Sequence, residues 1–333
     1  INFTIPNGRS NSQIPGPRSQ IPGPKSHVPC PKSQVPSPKS HVQLHRHHGI
    51  AFSPSQKSIP RQYMDPEKRV QSKPIPNIVQ HGIDGFGHQL EGTMGAVAMH
   101  VAGKATYMFN HRRSYTFAHP NVDATCESYM RHAMTRLHEK YPNDRVLTNR
   151  KHVHEVWKIP ETPDLAKIYS VDNAFYEPVE NMVGARALLT DVFGSGNPHL
   201  PAPSYENANT GRNVVVHVRL GDAVRRQREL PILFACVKKL RDAHPDHQFT
   251  VHTNGDVEEQ LSHDRTTIHD KGVHVLQVLS DFVHADILVI SDSSLSIAAS
   301  WIVSDTCQIV APSYKAANLQ ARIRPGFIHY SRT

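Results

Sequence analysis

The amino-acid sequence predicts an α/β protein built on parallel sheets. The first observation is the run Val214–Val218, whose β-branched apolar residues are typical of a strand buried on both faces. The second is the regular alternation of strand and helix patterns after residue 213, because such alternation produces a parallel sheet with helices on both faces. The third is that two predicted strands end in polar clusters, at the edge where open α/β sheets bind ligands.

The N-terminal part of the chain is a repeat that cannot form a core. The unit Ser12–Arg18 recurs with small changes as far as Lys39, and each copy carries two prolines and one cation. This composition favours an extended, polyproline-like chain. We therefore interpret residues 1–72 as a disordered, low-complexity tail or stem rich in Pro, Ser and Lys. An N-terminal α/β domain over residues 73–205 and a C-terminal α/β domain over 206–333 are predicted to follow.

The distribution of charge argues against nucleic acid as the partner. The formal net charge is +8, but residues 1–75 hold 11 Lys and Arg against 2 Asp and Glu, and the rest of the chain holds 26 against 27. The part that is predicted to fold is therefore nearly neutral, without the excess of cations that a nucleic-acid groove needs.

Composition also bears on membranes and metals. No run of 18 apolar residues occurs, so no membrane span is predicted within these residues, and an anchor upstream stays open. The four cysteines, Cys30, Cys126, Cys236 and Cys307, show no C-x-x-C spacing and do not predict a zinc site.

In the N-terminal half, the pattern predicts a strand, a glycine-rich turn and a helix in succession. The strand covers Asn77–Gln80, the turn Gly82–Leu90, and the helix Leu90–Ala102. This arrangement lets a ligand approach the N–H groups at a helix start, although no G-x-G-x-x-G or P-loop pattern is present. Further predictions are a strand over Ala105–Phe109 and helices over 122–140, 151–157 and 178–192. The Pro-, Asn-, Gly- and Ser-rich stretch 194–211 is the predicted domain boundary.

In the C-terminal half, strands and helices alternate after the opening strand 213–218. Proline at the start favours a helix over Pro231–Ala243. The predicted order is then strand Gln248–His252, helix Asp256–Leu261, strand Val273–Leu276, a helix near Leu279–His284, strand Asp286–Ile290, helix Leu295–Val303 and strand Gln308–Val310.

The first polar cluster ends the strand 213–218. His217 lies in the strand, and Arg219, Gly221 and Asp222 follow it. A guanidinium at the carboxyl end of a buried strand is placed to bind an anion such as a diphosphate. A surface pair between Arg219 and Asp222 in a turn is the alternative.

The second polar cluster is Ser291–Ser296, which joins the apolar strand Asp286–Ile290 to a helix. Hydroxyl groups and free N–H groups at a helix start favour a bound phosphate. Simple capping by Ser or Asp is the alternative. Ser293, Ser294 and Ser296 together exceed the need for one cap, so we favour the phosphate role.

Three motifs resemble those of the α-1,2- and O-fucosyltransferase superfamily. His217–Asp222 resembles the H-x-R-x-G-D motif, and Ala285–Ser296 resembles the A-D-x-L-V-x-S-x-S-S-x-S block. Gly85–Gln89 is similar to the G-x-G-N-Q turn, with His88 in place of Asn. All three occur in the family's order over about residues 80–302. Leu220 stands where many α-1,2 members have a second Arg.

The resemblance implies a GT-B-like pair of facing, Rossmann-like α/β domains with a GDP-sugar between them. The C-terminal half would hold the donor and the N-terminal half the acceptor. Arg219 would bind the diphosphate and stabilise the leaving GDP, and Asp222 would position Arg219 or an acceptor hydroxyl. The other implied site residues are His217 and Gly221 in the Arg motif, Ser293, Ser294 and Ser296 at the phosphates, Asp281 and Asn254 at the nucleoside, and Gly85, Gly87, His88 and Gln89 in the glycine turn.

The expected activity is inverting transfer of fucose from GDP-fucose to a hydroxyl of a glycan or glycoprotein. No D-x-D occurs in the chain, so Arg219 and the helix start at Ser293 would neutralise the diphosphate without a metal. The base stays open between Asp222 and a mechanism without a strong base. The resemblance further implies a secretory-pathway enzyme, in the Golgi lumen. A transferase for another nucleotide sugar and a non-catalytic glycan- or nucleotide-binding relative are the alternatives.

Overall fold

The computed structural model describes residues 75–79, 85–108, 123–141, 153–156, 163–171, 179–205, 213–220, 230–270, 272–312 and 322–330. Contacts divide the chain into two units, Ile1–Met64 and Asp65–Thr333, and every described residue belongs to the second unit. The predicted tail of residues 1–72 lies outside the described residues. The predicted domain boundary at 205/206 stays a prediction.

Four parallel strands form the first sheet, in the order β2-β1-β4-β3. The strands are β1 Asn77–Val79, β2 Thr106–Tyr107, β3 Val153–Val156 and β4 Ile168–Val171. The helices of this part of the chain are α1 Phe86–Val101, α2 Ala124–Lys140 and α3 Val179–Phe193.

Six parallel strands form the second sheet, in the order β10-β9-β8-β5-β6-β7. The strands are β5 Asn213–Val218, β6 Gln248–Thr253, β7 Thr266–His269, β8 Ile287–Val289, β9 Gln308–Pro312 and β10 Ile328–Tyr330, and the helices are α4 Leu230–Ala243, α5 Glu258–Leu261, α6 Val275–Val283 and α7 Ser294–Ile302. This is the doubly wound Rossmann order, in which the direction of chain progression reverses between β5 and β8. Ligands of such sheets bind beyond the carboxyl ends of the two strands at the reversal.

Strand β5 is buried on both faces because its side chains alternate between two cores. Val214, Val216 and Val218 pack in one core with Leu233 of α4, on one face of the sheet. Val215 belongs to the other core, which helices α6 and α7 share. The period of two along a strand produces this alternation, and it places His217 on the α6 and α7 face.

The larger core also includes helices from the first half of the chain. Leu90 of α1 and Leu189 of α3 are fully buried in the same cluster as Ile297 of α7. Helix α1 therefore lies directly against α7, the helix that begins in the second polar cluster, Ser291–Ser296, called the serine cluster from here on. None of the described helices has the length and apolar character needed to cross a lipid bilayer.

The predicted α/β class with parallel sheets is confirmed, but two individual elements were wrong. Residues 151–157 were predicted as a helix, whereas 153–156 form strand β3. Val273–Leu276 was predicted as a strand, whereas helix α6 begins at Val275 after a cap in which Nδ1 of His274 accepts from the Leu276 N–H. Both segments are too short for period alone to distinguish helix from strand.

Three strands, β4, β7 and β10, were not predicted. Strands β7 and β10 form the two edges of the second sheet, and most of their side chains are half-exposed or exposed. An edge strand that buries little apolar surface has a weak hydrophobic pattern. The sequences of β7 and β10 therefore cannot be distinguished from loops.

Candidate functional site

The two predicted polar clusters lie at the ends of neighbouring central strands. Strands β5 and β8 pair directly through Val214–Val216 and Ile287–Val289. The Arg motif, His217–Asp222, begins in the last residues of β5, and the serine cluster, Ser291–Ser296, follows β8, so both leave the same edge of the sheet at its point of reversal. This is the position at which a doubly wound sheet binds its ligand.

His217 joins the two clusters. Its Nδ1 atom lies 3.0 Å from Oγ of Ser291, and only 7% of His217 is exposed. The ring also packs on Phe282 of α6, with 5.1 Å between the ring centroids. The imidazole is thus held by a hydrogen bond on one side and an aromatic contact on another, directly before Arg219.

The backbone after β5 is held from the neighbouring strand β6. Arg219 is half-buried, and the N–H of the next residue, Leu220, donates to Oδ1 of Asn254 at 2.6 Å. A Cβ added to Gly255 would lie 2.8 Å from Cδ1 of Leu220, so the two loops are in close contact. Asn254, predicted at the nucleoside, therefore holds the Arg loop, which is the backbone at Arg219 and Leu220 directly after β5. Gly221 and Asp222 lie outside the described residues.

The serine cluster forms the start of α7, as predicted. Ser293 is the N-cap residue, but its side chain makes no capping hydrogen bond, so simple capping does not account for this hydroxyl. Ser294 hydrogen-bonds to the carboxylate of Glu91. Ser296 is fully buried, and its hydroxyl donates to the carbonyls of Ser291 and Ser293 at 3.1 and 3.2 Å. This hydroxyl serves the backbone of its own turn, and the phosphate contact of Ser296 stays a prediction.

The glycine turn reaches the serine cluster. Gly85 is the N-cap of α1, so Gly87, His88 and Gln89 form the first turn of the helix and not a loop before it. A Cβ added to Gly87 would lie 2.7 Å from the backbone N of Leu295. The first turns of α1 and α7 are therefore in backbone contact. The structure brings together the glycine, Arg and serine motifs that lie far apart in the sequence.

A buried ion pair that the sequence analysis missed lies beside this contact. Glu91 is 3% exposed, and Nη2 of Arg322 lies 2.9 Å from each of its carboxylate oxygens. Nη1 of Arg322 is also 3.6 Å from Oδ1 of Asp292, in the serine cluster. Burial raises the pKa of Glu91 to about 7, and the opposing attraction of Arg322 is not large enough to prevent this. The available signal was a lone carboxylate in the apolar helix after the glycine turn.

Asp281, predicted at the nucleoside, is fully buried in α6 and bound by protein groups. One oxygen accepts from the Ser204 N–H at 2.6 Å and from Gln277 at 3.0 Å. The other accepts from the Ser204 hydroxyl at 2.5 Å and lies 2.8 Å from Nε2 of His252. Burial alone would raise the pKa of Asp281, but the bonds from His252 and Ser204 outweigh it and lower that pKa. The carboxylate holds residue 204 against α6, and the nucleoside contact of Asp281 stays a prediction.

Metal ligands come together at another place. Among the residues that the structure describes, Asp123, Cys126 and His274 bring three donor atoms within 4.8 Å of one another. None of the three belongs to the predicted donor site.

No protein-family model matches the chain, and no curated protein matches it. Solved structures with a similar fold include the fucosyltransferase NodZ from Bradyrhizobium, at 14% identity and a TM-score of 0.32, over 70% of this chain and 94% of that one. Arabidopsis thaliana FUT1 in complex with GDP is similar at 11% identity and a TM-score of 0.34, over 72% and 71%. S. aureus MnaA with UDP is similar at 10% identity and a TM-score of 0.31, over 75% and 82%.

Proposed function

We propose that this protein is an inverting glycosyltransferase that moves fucose from GDP-fucose to a hydroxyl of a glycan or glycoprotein without a metal. The observation that carries the proposal is the His217–Ser291 contact at the reversal of the second sheet, which joins the Arg motif to the start of α7. A diphosphate in the crevice beyond β5 and β8 would meet a guanidinium from one strand end and helix N–H groups from the next.

Arg219 is the residue on which the chemistry depends. In the transfer, the acceptor oxygen attacks the anomeric carbon of fucose, the bond from that carbon to the β-phosphate oxygen breaks, and GDP leaves with the electron pair. The departing diphosphate gains negative charge, and a guanidinium stays charged and can bind two phosphate oxygens at once. The N–H groups at the start of α7, and the Ser293 hydroxyl that makes no capping hydrogen bond, would donate to the same charge.

Neighbouring residues support Arg219. His217 is fixed between Ser291 and Phe282, and Asn254 binds the N–H of Leu220 on the other side of Arg219. Both contacts restrict the backbone that carries the guanidinium, so little conformational freedom is lost when the diphosphate binds. The proton of the acceptor hydroxyl passes to a base, for which Asp222 is the proposed group.

The proposal includes the cellular setting that the motif resemblance implied, a secretory-pathway lumen. Diphosphate contacts do not distinguish one sugar from another, so the donor must be tested against its rivals.

Calorimetric titration of the full chain in EDTA tests the site, with GDP-fucose, GDP, GDP-mannose and UDP as ligands. We expect GDP and GDP-fucose to bind, and Arg219→Ala to weaken both by at least about tenfold, since a charge-assisted bond contributes about 1.5–3 kcal/mol. Arg265→Ala is the matched control, because Arg265 is an exposed residue of the same half that pairs with Asp246. Binding of UDP in preference to GDP would indicate a UDP-sugar, not GDP-fucose, as the donor. If Arg219→Ala and Arg265→Ala bind GDP with equal affinity, the proposed diphosphate site at Arg219 is wrong.

Turnover of GDP-fucose with a panel of glycan acceptors tests the reaction itself. We expect release of GDP to depend on the acceptor and to be lost in Arg219→Ala. A protein that binds GDP through Arg219 but turns over no donor is a non-catalytic nucleotide-binding relative.

A further inference from the structure

Three side chains with different metal-binding atoms meet between helices α2 and α6. Nε2 of His274 lies 3.1 Å from Oδ1 of Asp123 and 3.9 Å from Sγ of Cys126. Asp123 is exposed, His274 is partly exposed, and Cys126 is fully buried beneath them. The group thus has a sulfur ligand at its base and an open side toward solvent.

Rigid local structure fixes the three positions. Asp123 is the N-cap of α2, with Oδ1 accepting from the Thr125 N–H at 2.8 Å, and Cys126 lies in the first turn of that helix. His274 is the N-cap of α6, which belongs to the other half of the chain. The carboxylate and the thiol are therefore fixed relative to each other, and the imidazole belongs to a residue 148 positions after Cys126 and 151 after Asp123.

We propose that Asp123, Cys126 and His274 form a zinc site that joins α2 to α6. Thiolate, imidazole and carboxylate are the ligand types that Zn²⁺ takes, whereas Ca²⁺ and Mg²⁺ prefer oxygen alone. With ordinary zinc bond lengths, the two separations that involve Nε2 of His274 correspond to angles at the metal of about 100° between N and O and about 125° between N and S. Solvent takes the fourth position, on the side where Asp123 is exposed.

Metal binding rearranges two protons. The thiol proton of Cys126 leaves to solvent, because the thiolate is the ligand. His274 binds through Nε2, so its ring proton moves to Nδ1, which can then no longer accept from the Leu276 N–H. Metal binding therefore breaks the capping hydrogen bond from the Leu276 N–H to His274 and forms a bond from Nε2 of His274 to the metal. Affinity must fall as the pH decreases, since protons compete for the same atoms.

Ordinary capping explains why Asp123 and His274 lie where they do, and it requires nothing of Cys126. The thiol therefore separates the two explanations. A metal-bound cysteine produces a sulfur-to-metal charge-transfer absorption with Co²⁺, and two helix caps joined by a hydrogen bond do not.

The test is titration of the metal-free full chain with Co²⁺ and then Zn²⁺, followed by near-ultraviolet absorption and by metal analysis. We expect one equivalent of Co²⁺ to produce the sulfur-to-cobalt band and Zn²⁺ to displace it. Cys126→Ser removes the band. Cys236→Ser, the matched control at another buried free cysteine, keeps it. A variant with Gln at His45, His47 and His48 also keeps the band, which excludes the tail histidines as the ligands.

Two further variants keep the result decisive if Cys126→Ser fails to fold. Asp123→Asn and His274→Asn replace each ligand by a residue that still caps a helix, so folding is preserved. Each is expected to weaken Co²⁺ binding by at least about tenfold. The proposal is overturned if the unsubstituted chain gives no sulfur-to-cobalt band, if the band persists in Cys126→Ser, or if His274→Asn binds Co²⁺ as tightly as the unsubstituted chain.

Discussion

Nδ1 of His217 lies 3.0 Å from the hydroxyl of Ser291, and this contact connects the carboxyl ends of the two strands at which the second sheet reverses. Both residues are nearly buried, so the hydrogen bond is screened little by water. His217 precedes Arg219 by two residues, and Ser291 precedes the cap of α7 by two. The position of the Arg loop is thereby coupled to the position of the helix start.

A double-mutant cycle measures that coupling. We expect His217→Phe, which keeps an aromatic ring beside Phe282, and Ser291→Ala each to lower kcat/KM for GDP-fucose by about tenfold, since each removes the hydrogen bond between these two buried side chains. The double variant should be little worse than either single one, because the same interaction is lost only once. Fully additive losses would show that the two residues act independently.

Gly87 is required by the approach of α1 to α7. An added Cβ would lie 2.7 and 2.8 Å from backbone atoms of Leu295, which cannot move without displacing the start of α7. We expect Gly87→Ala to lower the free energy of unfolding by about 1–3 kcal/mol in urea titrations, because overpacking forces backbone shifts. It should also weaken GDP binding.

Gly184 supplies the control for Gly87. It lies inside helix α3, and an added Cβ there would meet no atom within 4 Å. Gly184→Ala should raise the free energy of unfolding by about 0.5–1 kcal/mol, as expected when Ala replaces Gly in a helix interior. If both glycines respond alike, the contact between Gly87 and Leu295 is not the cause.

The sequence predicted the second half of the fold well because its central strands are apolar on both faces. Strand β5 was predicted with its observed bounds, and β8 and α7 to within a few residues. A strand that is buried on both faces requires a continuous apolar run, whereas a helix of the same length usually requires apolar residues on one face only. The edge strand β7 buries little, so its residues showed no such run.

The sequence predicted those residues of the candidate site that lie at the carboxyl ends of predicted strands. His217, Arg219 and the serine cluster share that feature, whereas Glu91 and Arg322 meet across 231 residues and neither belongs to a motif. The partners of Asp281 and Ser296 could not be predicted either, since both lie in the apparent motif but are buried. A polar residue in a binding motif and one that supports the backbone look alike in sequence.

Glu91 makes stability depend on pH. Its pKa rises from 4.5 to about 7 in the folded protein, so the folded state binds more protons than the unfolded state between these pH values. The free energy of unfolding should therefore decrease by about 3 kcal/mol as the pH rises from 4.5 to 7, and this contribution should level off above 7.

Glu91→Gln is expected to remove this part of the pH dependence, because Gln does not titrate. Urea titrations at pH 4.5, 6 and 7.5 measure it. Glu127→Gln, which removes a carboxylate that pairs with Arg131 on the exposed face of α2, shows the effect of losing one surface charge. A Glu91→Gln variant with the same pH profile as the unsubstituted protein would contradict the assignment.

Asp281→Asn distinguishes a structural carboxylate from a ligand contact. The carboxylate accepts from Ser204, Gln277 and His252, and an Asn amide would turn a donor toward one of these donors. We expect the free energy of unfolding at pH 7 to fall by about 2–3 kcal/mol, because hydrogen bonds to a buried charge are lost. Asp264→Asn, at an exposed turn, is the control for the change of charge.

The pH dependence and the GDP affinity of Asp281→Asn complete the argument. The folded pKa of Asp281 lies below its usual value of 3.8, so the stability it contributes is present above pH 3.8 and is lost as the pH falls through the lower, folded pKa. Asp281→Asn should lack this acid-side loss. Its affinity for GDP should equal that of the unsubstituted protein at a temperature where both are folded, because the carboxylate has no exposed surface for a ligand. If Asp281→Asn instead binds GDP tenfold more weakly and has an unchanged free energy of unfolding, Asp281 contacts the nucleoside as the sequence predicts.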